Sequence, residues 1–142
     1  MKQAVHLQDL ICLSLYKASR HLIRMYGPLL APFGLTYPQF LVLQVLWEKG
    51  ASSVRGIGDL LALDSATLTP LLKKLEQRQL VTRARSIKDE RIVVIDLTDE
   101  GQSLKKKLQQ IPKEIGLQCG FSQKDVVELQ RMQGILEKIG AK

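Results

Sequence analysis

Apolar residues recur at helical spacing along most of this chain, and glycine and proline interrupt the pattern at a few points. The stretch Leu10–Tyr26 predicts a first helix, which Gly27 and Pro28 are expected to end or bend. A second helix is predicted after Thr36, a hydroxyl residue suited to the N-cap position. Because it is apolar on most sides, we expect it to be a buried central helix that stops near Gly50.

Two further helices and a pair of short β-runs follow. Val54–Leu61 has helical apolar spacing after Ser52-Ser53, and Ser65–Gln77 is predicted as a helix that opens after Asp64 and is kinked or loosened by Pro70. The segments 80–85 and 91–97 are rich in β-branched residues and flank a polar tip, which predicts a hairpin. Helix, helix and hairpin in this order are typical of a winged helix-turn-helix, a mainly α-helical fold with a small β-hairpin wing.

The C-terminal part returns to helical spacing. A fifth helix is predicted from Thr98 to Pro112, and a sixth helix, capped by Ser122, carries an apolar stripe to the C-terminus. Stripes of this length exceed what a small domain needs for itself, so we expect an all-helical dimerisation layer. The chain then reads as a single domain over 1–142, with dimerisation helices in 1–34 and 98–142 and a DNA-binding part in 35–97.

Composition narrows the class of partner. The 142 residues contain 21 Lys and Arg against 14 Asp and Glu, a net charge of +7 that favours polyanionic partners. The N-terminal residues lack the apolar core of a signal peptide, and no apolar run is long enough for a membrane span. We therefore expect a soluble cytoplasmic protein without membrane contact, whose two cysteines are free thiols. His6 and His21 are the only histidines and have no ligand spacing, so no metal or other cofactor is expected.

The predicted fourth helix and hairpin form a basic and hydroxyl-rich surface. In a helix-turn-helix the second helix enters the major groove, and a basic wing reaches the adjacent minor groove. Asp89 is placed to hold the Arg91 guanidinium by a charge-assisted bond. The alternative is that these residues are only solvated surface. The DNA-binding candidates are Ser65, Thr67, Thr69, Lys73, Lys74, Gln77, Arg83, Arg85, Lys88, Asp89 and Arg91.

A thiol and two phenols share one face of the predicted first helix. Cys12, Tyr16 and Tyr26 fall on one stripe, because offsets of 4 and 14 residues return to nearly the same side of a helix. At about 1.5 Å rise per residue, however, Cys12 and Tyr26 lie roughly 21 Å apart on a continuous helix. If these two side chains meet, a second subunit must bring them together.

The thiols allow redox chemistry. Cys12 near a helix start gains thiolate character, and the hydroxyls of Tyr26 and Tyr37 are candidate donors to it. Such a thiolate attacks the O–O bond of a peroxide and becomes a sulfenic acid, although a free cysteine is more often a small packed hydrophobe. Cys119 lies between Gly116 and Gly120, a connection mobile enough to bring a second thiol onto a sulfenic acid. Incidental packing of Cys119 is the alternative.

The residues at these positions resemble the MarR family of winged-helix repressors, and within it the organic hydroperoxide sensor (OhrR) branch. The likeness covers nearly all of residues 7 to 140. It is carried by Cys12 with Tyr26 and Tyr37, and by four runs: Leu35-Thr36-Tyr37-Pro38-Gln39-Phe40, Leu46-Trp47-Glu48, Leu63 to Glu76, and the wing Asp89-Glu90-Arg91. The cysteine with both tyrosines is what points to the peroxide-sensing branch.

The resemblance implies a homodimeric repressor, not an enzyme, that binds a pseudo-palindromic double-stranded DNA operator and leaves it after oxidation by an organic hydroperoxide. It implies that Cys12 is the peroxide-reactive residue, that Tyr26 and Tyr37 of the other subunit are its partners, and that Cys119 forms an intersubunit disulfide. Two alternatives remain: a MarR-type repressor released by a small phenolic or lipophilic ligand, with Cys12 structural, and a thiol peroxidase.

Overall fold

The computed structural model describes residues 6–140. They form two compact units, one up to Gln109 and one from Gln110 onward. The first unit contains six helices and a small antiparallel sheet among its described residues, and the second contains two helices. The predicted fold class, mainly α-helical with a β-hairpin wing, is confirmed.

The first helix is longer than the sequence predicts. After a 3-10 turn at Leu7–Asp9, α1 spans Ile11–Leu30 and is followed by a 3-10 turn at Ala31–Phe33. The expected end at Gly27 and Pro28 is wrong, since α1 runs through both residues. Pro28 lacks an amide proton and removes one intrahelical hydrogen bond, and α1 continues in spite of this loss. The extra turn places Leu30 in the core, where it is fully buried.

The second helix is the centre of the first unit. Helix α2 spans Tyr37–Lys49 and begins with a capping box, in which the Thr36 and Gln39 side chains each bond the other residue's amide. It is buried on several sides, with Phe40, Val42, Leu43 and Leu46 at 2% exposure or less. The predicted buried central helix is confirmed, and its tight N-terminal cap fixes where Tyr37 stands.

Two short helices form the helix-turn-helix. Helix α3 spans Val54–Leu61, with Ser53 accepting from the Gly56 amide at 3.0 Å. Helix α4 spans Ser65–Gln77 and contains Pro70 as a helical residue. Leu68, Leu72 and Leu75 on its inner face are fully buried. This inner row fixes which face of α4 remains outside.

A three-stranded sheet follows, in the order β1-β3-β2. Strand β1 is Ser52–Ser53, β2 is Val81–Arg85 and β3 is Val93–Leu97. The hairpin of β2 and β3 is the predicted wing, with Arg83 opposite Ile95. Strand β1 has no sequence signal of its own, because it exists only through its antiparallel pairing with β3.

The predicted fifth helix is broken. It is divided into α5 (Asp99–Ser103) and α6 (Lys105–Leu108), so the expectation of one continuous helix is wrong. A further helix, α7 (Ile111–Gln118), begins at its expected end and contains Gly116, so the mobile connection expected there is wrong as well. Pro112 lies at the start of α7, where its missing amide proton is tolerated but where it prevents an uninterrupted helix.

In the second unit, α8 spans Gln123–Leu136 and continues as a 3-10 turn at Glu137–Ile139. The Ser122 cap is present as predicted, with the Asp125 amide donating to its hydroxyl at 3.2 Å. None of the residues 121–130 is buried. Between Phe121 and Ile139, the exposed large apolar residues are Phe121, Val126, Val127, Leu129, Ile135 and Ile139.

Candidate functional site

The outer face of α4 presents hydroxyl, amide and lysine side chains. Thr69 is half-buried, and the other five candidates on this helix are exposed: Ser65, Thr67, Lys73, Lys74 and Gln77. At the N-terminus the Thr67 amide donates to Asp64 Oδ1 at 2.7 Å, and this bond holds the pKa of Asp64 below its usual value. The cap therefore fixes the first turn of α4, where a groove-reading helix makes its base contacts.

The tip of the wing is ordered by its own side chains. Arg85 donates to the Glu90 carbonyl at 2.9 Å, while the Arg91 amide and Nε both donate to Asp89 Oδ1, at 3.0 and 3.3 Å. The predicted Asp89–Arg91 pair is thus formed. The Arg91 side chain is still 92% exposed, so its charge projects from the wing. Lys88 is also exposed.

Arg83 lies in a different environment from the other wing residues. Its side chain is only 23% exposed and is paired with the Glu76 carboxylate of α4 at 3.7 Å. Its Nε is buried and has no hydrogen-bond partner among the described residues. Arg83 and Arg91 line an open groove of about 770 Å³ formed by residues of α3, α4 and β3. Arg83 as a DNA contact stays a prediction, and its position is at the base of the wing.

A cluster of aromatic rings lies where α1 and α2 meet. The ring centroids of Tyr26 and Tyr37 are 4.7 Å apart, and Phe40 lies 5.7 Å from Tyr26 and 6.4 Å from Tyr37. Trp47 extends the cluster along α2 and donates its Nε1 proton to the Gly101 carbonyl at 3.0 Å. Burial raises the pKa of the Tyr37 phenol above its ordinary 10.0, because desolvation disfavours the charged phenolate.

Cys12 lies at the opposite end of α1, in its first turn, and is exposed. Leu10 occupies the N-cap position, and a leucine side chain cannot accept a hydrogen bond from the first-turn amides. The positive end of the helix dipole therefore lies beside the thiol. One turn on, the Tyr16 hydroxyl accepts from Arg20 at 2.7 Å.

The structure brings two of the three predicted partners together and leaves the third apart. Tyr26 and Tyr37 are in ring contact, whereas fourteen residues of continuous helix separate Cys12 from Tyr26. That length corresponds to roughly 21 Å. In one chain, the thiol therefore lies at the N-terminal end of α1, and the phenol pair lies at the other end, where α1 meets α2.

Cys119 belongs to the second unit. It is the C-cap of α7 and is half-buried, and Gly120 after it has φ +66°, in the left-handed region that favours glycine. Gly120 lets the chain reverse between α7 and α8. Cys119, Phe121, Leu129 and Met132 border a surface cavity of about 780 Å³ within this unit.

Comparison with known proteins identifies the family. The family model described as transcriptional regulator SarA/Rot matches residues 24–108. Over 130 residues the chain is 43% identical to the organic hydroperoxide resistance transcriptional regulator of Bacillus subtilis strain 168, covering 92% of this chain and 86% of that protein. The chain belongs to the MarR/SarA-type winged-helix transcriptional regulators.

Solved structures of this family agree in fold. Reduced AbfR bound to DNA has a TM-score of 0.77 at 34% identity and covers 94% of each chain. AbfR with its disulfide formed has a TM-score of 0.64 at 37% identity, covering 92% of this chain and 91% of that one. AbfR comes from Staphylococcus epidermidis. This chain shares the winged-helix fold of these regulators, with α3 and α4 as its helix-turn-helix and the β2–β3 hairpin as its wing.

One residue of this MarR/SarA-type regulator has no sequence signal. Arg78, the C-cap of α4, donates through NH1 to the Gly34 carbonyl and through NH2 to the Phe33 carbonyl, both at 2.6 Å. The partners are 44 and 45 residues away in sequence. No spacing rule connects them, although the glycine at 34 does mark a tight turn.

Residues 6–140 show neither a metal site nor a single membrane-spanning helix. No cluster of three or more His, Cys, Asp or Glu side chains there is arranged to hold a metal ion. No single described helix has the length and apolar character of a membrane span; only the bent pair Ile11–Phe33 and Tyr37–Lys49 passes on these two criteria.

Proposed function

We propose that this regulator is a homodimeric repressor that senses organic hydroperoxides through Cys12 and releases its operator when that thiol is oxidised. The observation that carries the proposal is the placement of an exposed thiol at the start of α1 and of two phenol rings in contact at its far end, where α1 meets α2. The name of the Bacillus subtilis relative supports the same effector class. As a DNA-binding regulator and not an enzyme, the protein acts in the cytoplasm.

A second copy of the chain completes the sensor site. In an isologous dimer the two copies use the same surface. If one residue of the first copy contacts a second residue of the other copy, the reciprocal contact is also formed across the two-fold axis. If two α1 helices run antiparallel across that axis, Cys12 of each chain approaches Tyr26 and Tyr37 of the other. Large apolar side chains are exposed on both units, as a dimer surface requires: Ile11 at 71% and Ile23 at 40% in the first, and Ile135 at 61% in the second.

The chemistry of the site is a two-electron oxidation of sulfur. The Cys12 thiolate attacks the distal oxygen of the hydroperoxide, and the S–O bond forms as the O–O bond breaks. The alkoxide that leaves takes up a proton and becomes the alcohol. The neutral Tyr37 phenol donates a hydrogen bond that stabilises the thiolate and the charge that develops on oxygen. The hydroperoxide is reduced to the alcohol, and Cys12 becomes a sulfenic acid.

Oxidation then weakens DNA binding without touching the DNA-contacting side chains. A dimeric helix-turn-helix reads two half-sites about 34–36 Å apart, so a small change in the dimer layer misplaces the two α4 helices. The residues proposed to bind the operator are the candidates on α4 and the wing. Arg83 lies at the base of the wing, and its ion pair with Glu76 connects the wing to α4.

Cys119 is proposed to resolve the sulfenic acid. Condensation of its thiol with the Cys12 sulfenic acid of the other chain forms a disulfide and releases water. A non-reducing gel after oxidation should show a cross-linked dimer that is absent from Cys119→Ser. A monomer band alone in the wild-type lane would rule out this disulfide and leave the Cys12 chemistry standing.

Operator binding with and without cumene hydroperoxide tests the function. The reduced wild type should bind and the oxidised wild type should be released, whereas Cys12→Ser should bind and ignore the oxidant. Release of Cys12→Ser by hydroperoxide would contradict the proposal. Steady consumption of hydroperoxide in the presence of a dithiol would instead identify a thiol peroxidase.

A further inference from the structure

Arg78 joins the end of the groove helix to the corner between α1 and α2. Its two guanidinium nitrogens bond two adjacent carbonyls, those of Phe33 and Gly34, at 2.6 Å each. Hydrogen bonds from a charged donor are stronger than neutral ones, and a planar guanidinium fits two neighbouring acceptors at once. A lysine ammonium in this place is a point charge on a flexible stem and lacks the planar fork that matches the two carbonyls.

The corner is shaped to receive this side chain. Gly34 has φ +62°, and a Cβ added there would lie 3.2–3.4 Å from the Arg78 guanidinium. The Gly34 amide also donates to the Ala31 carbonyl at 2.9 Å, which closes the 3-10 turn. Glycine is therefore favoured at this position for its backbone conformation, and a Cβ would also displace the Arg78 guanidinium by a few tenths of an ångström.

Each end of the bridge is rigidly attached to a functional element. On one side, Leu80 and Gln79 donate to the Leu75 and Glu76 carbonyls, a Schellman motif that fixes Arg78 to α4. On the other side, the bonded carbonyls lie three and four residues before Tyr37. The bridge therefore runs from the phenol pair's corner to the helix proposed to read DNA.

We propose that Arg78 is a positioning residue that transmits the oxidation of the sensor site to α4, through its paired bonds to the Phe33 and Gly34 carbonyls. The inference rests on the proposed function. When the partner's Cys12 is oxidised and Tyr37 shifts, the corner moves and carries the C-terminal end of α4 with it. Coupling between two sites requires an element that both bias, and this short bridge supplies one.

The test compares operator affinity before and after cumene hydroperoxide in four proteins: wild type, Arg78→Gln, Arg78→Lys and Lys106→Gln. Lys106 is an exposed lysine outside the bridge and controls for the loss of one positive charge. The measured quantity is the ratio of the oxidised to the reduced dissociation constant. Trapping of the Cys12 sulfenic acid by a dimedone probe shows that each variant is oxidised equally.

Arg78→Gln should bind the operator when reduced about as well as Lys106→Gln, yet lose about tenfold or more of the oxidation-dependent ratio. Arg78→Lys should fall between Arg78→Gln and wild type, because it keeps the charge and loses the planar fork. A merely structural role would lower thermal stability and leave the ratio unchanged. If Arg78→Gln is unfolded at the assay temperature, the ratio for Arg78→Lys decides.

Two negative outcomes are distinct. A wild-type ratio near one would overturn the proposed function and the bridge with it. A large wild-type ratio that Arg78→Gln and Arg78→Lys both retain in full would overturn the bridge alone.

Discussion

Replacing Tyr37 by phenylalanine removes one hydroxyl and leaves the ring. The ring of residue 37 still packs on Tyr26, at a centroid distance of 4.7 Å, and on Phe40, at 6.4 Å. We therefore expect the free energy of unfolding to change by less than about 1 kcal/mol. A hydrogen bond to a charged group contributes about 1.5–3 kcal/mol, and each 1.4 kcal/mol of barrier is a factor of ten in rate. The oxidation of Cys12 should slow by roughly 10- to 100-fold.

The assay mixes reduced protein with cumene hydroperoxide in a stopped-flow instrument, and the second-order rate constant is obtained from the loss of free thiol. Cys119→Ser serves as the background, so that only Cys12 reacts. Tyr16→Phe is the comparison, because Tyr16 lies one turn from Cys12 on the same helix and bonds Arg20. An unchanged rate for Tyr37→Phe, or a loss confined to Tyr16→Phe, would refute the reasoning.

Three further predictions concern backbone geometry and the phenol. Gly101→Ala should lower the free energy of unfolding, measured by chemical denaturation, by about 3 kcal/mol, because its Cβ would overlap the Leu80 carbonyl oxygen. Gly134→Ala, which has open space around it, should not lower it. Gln79→Gly should raise the free energy of unfolding in the same assay by about 0.5–1 kcal/mol, since Gln79 adopts φ +58° at a helix end; a lower free energy of unfolding would contradict this. Burial raises the pKa of Tyr37 above 10.0. The contribution of its protonated phenol to the free energy of unfolding is therefore complete below pH 10 and is lost as pH rises through the folded-state pKa. Denaturation at several alkaline pH values should show a steeper fall for wild type than for Tyr37→Phe, and equal slopes would argue against it.

Elements with signals in their own sequence were predicted well. Helices α3 and α4 begin where Ser53 and Asp64 cap them, and the hairpin strands coincide with the β-branched runs. The end of α1 was predicted wrongly because it depends on tertiary packing. The extension of α1 past Pro28 depends on burying Leu30, which lies in the core and not in a local pattern.

The candidate site was likewise predictable in part from the sequence. The stripe of Cys12 and Tyr26 on one helix, and the distance between them, follow from helical geometry. The ring contact between Tyr26 and Tyr37 depends on the corner between two helices, which spacing does not define. The Arg78 bridge joins residues 44 and 45 positions apart and only the folded chain shows it.

The central claim, that Cys12 reacts beside phenols of the other chain, is tested most directly in a mixed dimer. One chain carries Cys12→Ser, its partner carries Tyr26→Phe with Tyr37→Phe, and both carry Cys119→Ser. The only remaining Cys12 then has altered phenols in its own chain and intact phenols in its partner. We predict that this thiol reacts with cumene hydroperoxide at the wild-type rate. A rate as slow as that of the homodimer with both tyrosines replaced would contradict the account.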